Sequence, residues 1–461
     1  MKWRTFSLAF LSAFVCASGP AQTAPESPLT LEELERIALE KNPTLTQATS
    51  EVDAARGRAK QAGLLPKLVL GYEAEEWAFR SGTGRGKQGV FVEQTIPLGG
   101  KLSLSRSIFE KEGLEADAGV EAQRLRVINS VRSLYFEAVV AARRVHVRER
   151  LTQLTNEAVT VSRQLYNTGA ADLPDVLESE IEARETRLAL DAARDEQYHT
   201  WLSLATMIGQ PDLKLRTLAG ELDPSPPELD REAAVAALLR ESPQLRRARA
   251  QVERAEAIVN RAGREAFPDL FLRVGADYDR ERVEIAPGGP GRPVGWEGSV
   301  SVGFSVPLFN RNQGDRAAAR AELSRAHSEV RRVELALRSR LSGVFEAYLT
   351  ALRMVDEYGN EILPRAEQAY RLYLDKFEQM GAAYPQVLIA QRTLFQTSER
   401  YLSALQQANV AAVQIQGMLL VDGLDAPPMP GEMTTGISAS EIPGAVRSGE
   451  LPVSVPQPGQ E

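Results

Sequence analysis

The two halves of this chain repeat one pattern about 200 residues apart. Asn42-Pro43-Thr44-Leu45 opens a segment that runs through Ala62-Gly63 to Pro66, and Ser242-Pro243-Gln244-Leu245 opens another that runs through Ala262-Gly263 to Pro268. Val92-Glu93-Gln94-Thr95-Ile96-Pro97-Leu98 is answered by Val302-Gly303-Phe304-Ser305-Val306-Pro307-Leu308. Phe136-Glu137-Ala138 is answered by Phe345-Glu346-Ala347, and Leu173-Pro174-Asp175-Val176-Leu177 by Tyr384-Pro385-Gln386-Val387-Leu388. The offset drifts only from about 200 to about 211, so the chain is one unit duplicated. Each unit reads helix, two strands, very long helix, tight turn, long helix. A two-stranded piece per unit leaves sheet edges open unless several chains meet.

Lys2 and Arg4, the apolar run Leu8 to Val15 and the small residues near Gly19-Pro20-Ala21 or Cys16-Ala17-Ser18 read as a secretory signal over 1–21. That apolar run is too short to span a bilayer, and no later stretch reaches the roughly 20 apolar residues a spanning helix needs. Cys16 is the single cysteine. Phe14-Val15 before it fits poorly with the small residue that lipidation requires, so the exported chain is expected to lack a disulfide and a thiolate metal site. With 54 basic against 62 acidic residues, the mild acidity argues against nucleic acid as a partner.

The first unit is assigned to 22–220 and the second to 221–424, followed by a Pro-, Gly- and Ser-rich tail over 425–461 that reads as disordered. Thr30-Leu31-Glu32-Glu33 is a capping box that starts a helix expected to run to about Leu64, before Pro66. Alternating patterns predict strands over about 67–76 and 88–97, and over about 269–279 and 298–308. In the last of these Val300, Val302, Phe304 and Val306 share one face, and Ser299, Ser301, Gly303 and Ser305 the other. Lipid outside and water inside a membrane barrel would demand that alternation, as would a sandwich strand with one solvated face. Proline-free helical periodicity predicts a rod over about 101–166, some 95 Å long at 1.5 Å per residue. The second rod covers about 315–379, where Pro364 is expected to kink it. The rods end at Gly169-Ala170-Ala171 and Gly381-Ala382-Ala383, and shorter helices return over about 174–207 and 385–420.

Chemistry-bearing constellations are missing from this pattern. His146, His199 and His327 have no ligand-spaced companions and read as helix-surface residues. Gly82-Thr83-Gly84-Arg85-Gly86-Lys87 lacks the glycine spacing of a phosphate loop and joins two strands, whereas a phosphate loop opens a helix. No catalytic residues, cofactor or resident metal are expected. The chain reads as a machine part.

Taken together, the duplication, the opening Leu29-Thr30-Leu31-Glu32-Glu33 with Asn42-Pro43, the strand end Glu93 to Lys101 and the turns at Tyr166-Asn167-Thr168-Gly169 and Phe377-Glu378-Gln379-Met380-Gly381 resemble the TolC-like outer-membrane efflux proteins. The resemblance covers about Leu29 to Leu424. Gly99-Gly100-Lys101 after the second strand is most similar to the heavy-metal branch, which serves cobalt–zinc–cadmium or copper–silver pumps. The resemblance implies a mainly α fold with a membrane β-barrel. Three protomers would give four strands each to a twelve-stranded barrel, above a long periplasmic α-barrel in the outer membrane of a bacterium. It implies a passive exit duct working with a periplasmic adaptor and an inner-membrane RND-type pump, with the outer-membrane lipid around it.

On the same resemblance, the two turns (Gly169, Ala170, Ala171 and Gly381, Ala382, Ala383) are the adaptor-docking tip. Asp172, Asp175 and Glu178 are a candidate acidic pore ring, although Asp172 and Asp175 equally suit the start of a helix. Gln386 and Ile389 stand where paired acids form a gate in the family archetype, so a second acidic ring is not expected. The same duct serving drug efflux or type I secretion is one alternative. A periplasmic adaptor with a single helical hairpin and a coiled-coil structural protein are others, and neither accounts for four amphipathic strands.

Overall fold

A computed structural model describes residues 28–75, 86–169, 171–220, 226–283, 288–379 and 384–427. The expected signal over 1–21, the tail from residue 428 onward, Ala170, and Gly381 with Ala382 and Ala383 lie outside the described residues.

The first unit opens with α1 (Leu31–Lys41) and α2 (Pro43–Ala62), where sequence reading expects one continuous helix. The break is chemical. Pro43 has no N–H to continue the first helix, and Asn42 Oδ1 accepts a 3.0 Å hydrogen bond from the Thr44 N–H, so Asn42 ends one helix and caps the next. The duplicate pair, α5 (Arg231–Glu241) and α6 (Pro243–Arg264), breaks at Ser242-Pro243, where the proline again lacks the N–H to continue the helix but the Ser242 side chain makes no capping hydrogen bond.

The long rod α3 (Lys101–Asn167) is uninterrupted over 67 residues, about 100 Å at 1.5 Å per residue. It returns through α4 (Leu173–Met207). In the second unit α7 (Gln313–Asp356) passes through a π-helical turn, Glu357–Ile362, into α8 (Leu363–Glu378), and α9 (Tyr384–Gln416) returns. The expected disturbance at Pro364 is thus a widened turn just upstream of it. The proline ring crowds the carbonyl of residue 360 and supplies no donor, and the i→i+5 turn absorbs that mismatch.

Two equivalent cores hold these helices together. In the first unit Leu34 and Ala38 of α1 pack with Val127, Val131 and Tyr135 of α3 and Trp201 and Leu204 of α4. In the second, Leu238 of α5 packs with Leu337, Leu341, Phe345 and Tyr348 of α7 and Ala412 and Ile415 of α9. The chain after α9 is tied back onto α3. Asn129 Nδ2 donates to the Gly417 and Leu420 carbonyls at 2.9 and 2.7 Å, and Gln123 Nε2 donates to the Gly423 and Asp425 carbonyls at 3.0 and 3.2 Å. Asp425, where the tail was expected to begin, is therefore still anchored.

The strands β1 (Val69–Glu75), β2 (Lys87–Pro97), β3 (Asp269–Val283) and β4 (Arg292–Phe304) form one antiparallel sheet in the order β1-β2-β3-β4. The second hairpin is longer at its tip than the alternation predicts, and β4 ends at Phe304 and not near residue 308. Beyond residue 279, where the alternation ends, backbone pairing resumes past the irregularity between Asp279 and Arg282. Ladder hydrogen bonds need no apolar side chains there. Val306 accordingly lies beyond the strand, on the connection to α7.

Candidate functional site

Cross-strand register decides which side chains share a face. Leu70 pairs with Val92, Val92 with Val274 and Val274 with Val300, so these four project to one side. Tyr72, Val90, Leu272, Val302 and Phe304 join them, and none of this face is covered by a helix: Leu70 is 75% exposed and Val300 72%. Tyr278 and Trp296 close its far end as an edge-to-face pair with ring centroids 5.5 Å apart. An apolar band ending in aromatic side chains is the pattern that a lipid-facing barrel wall presents. Val300, Val302 and Phe304 stand on it together, and the exposed Val306 follows at the helix-side end.

The opposite face is charged. Arg273 lies over the Phe91 ring at 3.7 Å and pairs with Glu73. The ring itself sits against Gly71, where an added Cβ would meet it at 2.3 Å. Lys87 Nζ reaches Glu297 at 2.6 Å and Asp279 at 3.9 Å. Side chains of this kind suit a water-filled interior and would be costly against lipid.

The sheet joins the helices through Gly99-Gly100-Lys101. Both glycines have positive φ, at 69° and 74°, and a Cβ on Gly99 would lie 2.9 Å from Phe267. This tight turn delivers Lys101 to the start of β3, where its buried ammonium lies 2.9 Å from Asp269 and 3.5 Å from Glu265. The Leu98 N–H also donates to Asp269 Oδ1 at 3.3 Å. In the sequence this motif is only a family mark, because the partners of Lys101 are 164 and 168 residues away and carry no local signal.

At the far end of the rods, Gly169 ends α3 with φ of 74° and has open space around its Cβ position. Ala171 and the N-cap Asp172 follow, and the Asp172 N–H donates to Asp175 Oδ2 at 3.3 Å, so Asp175, in the first turn of α4, supplies one half of a capping box. Glu178 is exposed beside a bridge between the two helical hairpins: Arg392 of α9 pairs with Glu182 of α4. The hydrogen bond to Glu182 raises the Arg392 pKa above its ordinary value, and the Glu178 and Glu185 charges add to it. Farther up, Arg144 and Arg148 of α3 hold Glu399 of α9, each at 2.9 Å. Of the three acids named for a pore ring, Asp172 and Asp175 form the start of α4, and Glu178 stands exposed one turn before Glu182. Gln386 and Ile389 are exposed on α9, Ile389 by 64%.

Among the described residues no helix is long and apolar enough to cross a membrane, and no cluster of His, Cys, Asp and Glu is arranged to hold a metal ion.

Comparison with known proteins matches residues 34–210 and 234–419, one segment in each unit, to the family described as Outer membrane efflux protein. The chain is 26% identical over 397 residues to the cobalt-zinc-cadmium resistance protein CzcC of Cupriavidus metallidurans, covering 85% of this chain and 90% of that protein. A membrane protein from Pseudomonas aeruginosa superimposes with a TM-score of 0.71 at 18% identity, covering 84% of this chain and 93% of that one. CusC, described in terms of folding and transmembrane channel formation, superimposes with a TM-score of 0.69 at 16% identity, covering 85% and 92%.

Proposed function

Because this chain belongs to the outer membrane efflux protein family, we propose that three copies close a twelve-stranded barrel in the outer membrane and conduct heavy-metal cations outward through a periplasmic helical duct. One observation carries the reading: a four-stranded sheet with an uncovered apolar face, a charged face and two unpaired edges, β1 and β4. An open edge in lipid leaves backbone groups unsatisfied at several kcal/mol each, and a closed ring of identical protomers removes every edge. The cation class rests on the likeness to a cobalt-zinc-cadmium resistance protein over most of both chains. Energy would come from an inner-membrane RND-type pump, reached through a periplasmic adaptor at the tip. The duct itself would perform no chemical step.

Deleting the gene should sensitise cells to cobalt, zinc or cadmium, and re-expression should restore tolerance. Unchanged metal tolerance alongside new sensitivity to organic drugs, or loss of a secreted protein, would reassign the cargo.

Docking at the tip has its own expected result. Gly169→Leu places a side chain on a left-handed residue with free space around it, so the cost is confined to about 1–2 kcal/mol of local backbone strain. Trimer level and membrane location should stay at the parental level while metal export is lost. Export at the parental rate would remove this turn from the docking surface.

A further inference from the structure

The duplication fixes more than the fold of one protomer. Pro66 corresponds to Pro268 and Pro97 to Pro307, so the first strands of the two units are offset by 202 residues and the second strands by 210. The hairpins obey these offsets: Val69↔Glu93 in the first becomes Phe271↔Gly303 in the second, and both pairs are present. One protomer therefore contains one unit-to-unit seam, β2 against β3, with Val92↔Val274 and Ile96↔Leu270. Its equivalent, β4 against β1, has no partner within the chain.

We infer that β4 of each protomer pairs with β1 of a second copy of this chain in the register Val302↔Tyr72, the image of Val92↔Val274. The inference rests on the trimeric reading above and adds the alignment of its seam. Carried along the strands, the same register sets Phe304 opposite Leu70 and Ser299 opposite Glu75. It is consistent face by face: Val302, Phe304, Tyr72 and Leu70 all belong to the apolar face, whereas a slip by one residue would set apolar against charged side chains. At the helix-side end it brings Val306 opposite Leu68, which are 64% and 59% exposed in the single protomer. Residues 67–68 and 306–307, left outside the strands here, would join the ladder.

A slip by two residues keeps the faces and is the alternative to test. Directly opposed residues lie about 4.5–5.5 Å apart at Cα, within disulfide range, whereas diagonal neighbours lie about 7–8 Å apart. Val302→Cys with Tyr72→Cys, and Ser299→Cys with Glu75→Cys, should each give covalently linked multimers on mild oxidation in membranes. These two pairs sample both alternating pair geometries of an antiparallel ladder. The single substitutions should give no such species, which also controls for Cys16. Val302→Cys combined with Leu70→Cys or with Ala74→Cys should cross-link at least tenfold less. Stronger cross-linking by either shifted combination overturns the register. Failure of every pair, with native mass spectrometry of the parent protein still reading a trimer, also overturns the register but leaves the trimer standing. A monomer in that measurement overturns both.

Discussion

Val300→Arg is expected to abolish assembly in the outer membrane, while Ser299→Arg, one residue away, leaves it close to the parental level. Val300 lies midway along the apolar band, opposite Val274, and is 72% exposed. An arginine near the bilayer midplane costs about 2–4 kcal/mol in a barrel wall. Three copies would carry that cost in one closed ring, so folded trimer should fall below detection in the outer-membrane fraction. Ser299 belongs to the charged face, opposite Gly275, where an arginine would remain in water. Ser301 is a poorer control because it faces Arg273, and like charges directly opposed are themselves destabilising. Equal yields of heat-modifiable, membrane-inserted protein from the two variants would reverse the assignment of faces.

Lys101→Met should be the most damaging single change at the junction of sheet and helices. It leaves Asp269 and Glu265 beside an apolar side chain, with the ammonium that now sits 2.9 and 3.5 Å from them removed. Breaking a fully buried pair by deleting one partner costs about 3–5 kcal/mol; the carboxylates left here are partly exposed, Asp269 by 24% and Glu265 by 37% with Arg261 still beside it, so the loss should fall below that range. A lower midpoint for thermal unfolding in detergent should accompany a loss of folded yield. Adding Asp269→Asn should recover part of the loss, because the cost lies in the carboxylate left behind. If the double variant is no more stable than Lys101→Met alone, the lysine acts through packing.

Much of this architecture was legible along the chain because it is local or periodic. The capping box at Thr30, the uninterrupted apolar periodicity of α3 and the alternation of Val300, Val302 and Phe304 each express one element's geometry in its own residues. The break at Asn42-Pro43 was missed although its signal was local, since an asparagine before a proline both ends a helix and caps one. The π-helical turn was placed by Pro364, but its form was not: a proline states that the α pattern must yield and leaves open how.

Repeat spacing and hydrophobic period are properties of neighbouring residues, so the duplicated unit, the long rods and the two-faced strands are written along the chain. Tertiary packing sets Lys101 against Asp269, bridges Arg392 to Glu182 and leaves Ile389 exposed on α9. Those contacts join residues as far as 210 positions apart, or depend on which way a helix faces, and no period in the chain encodes either. The strand register lies between the two. The repeat supplies the offsets, but the observed pairing of β2 with β3 was needed to align the seam, because a ladder is fixed by backbone hydrogen bonds between distant segments.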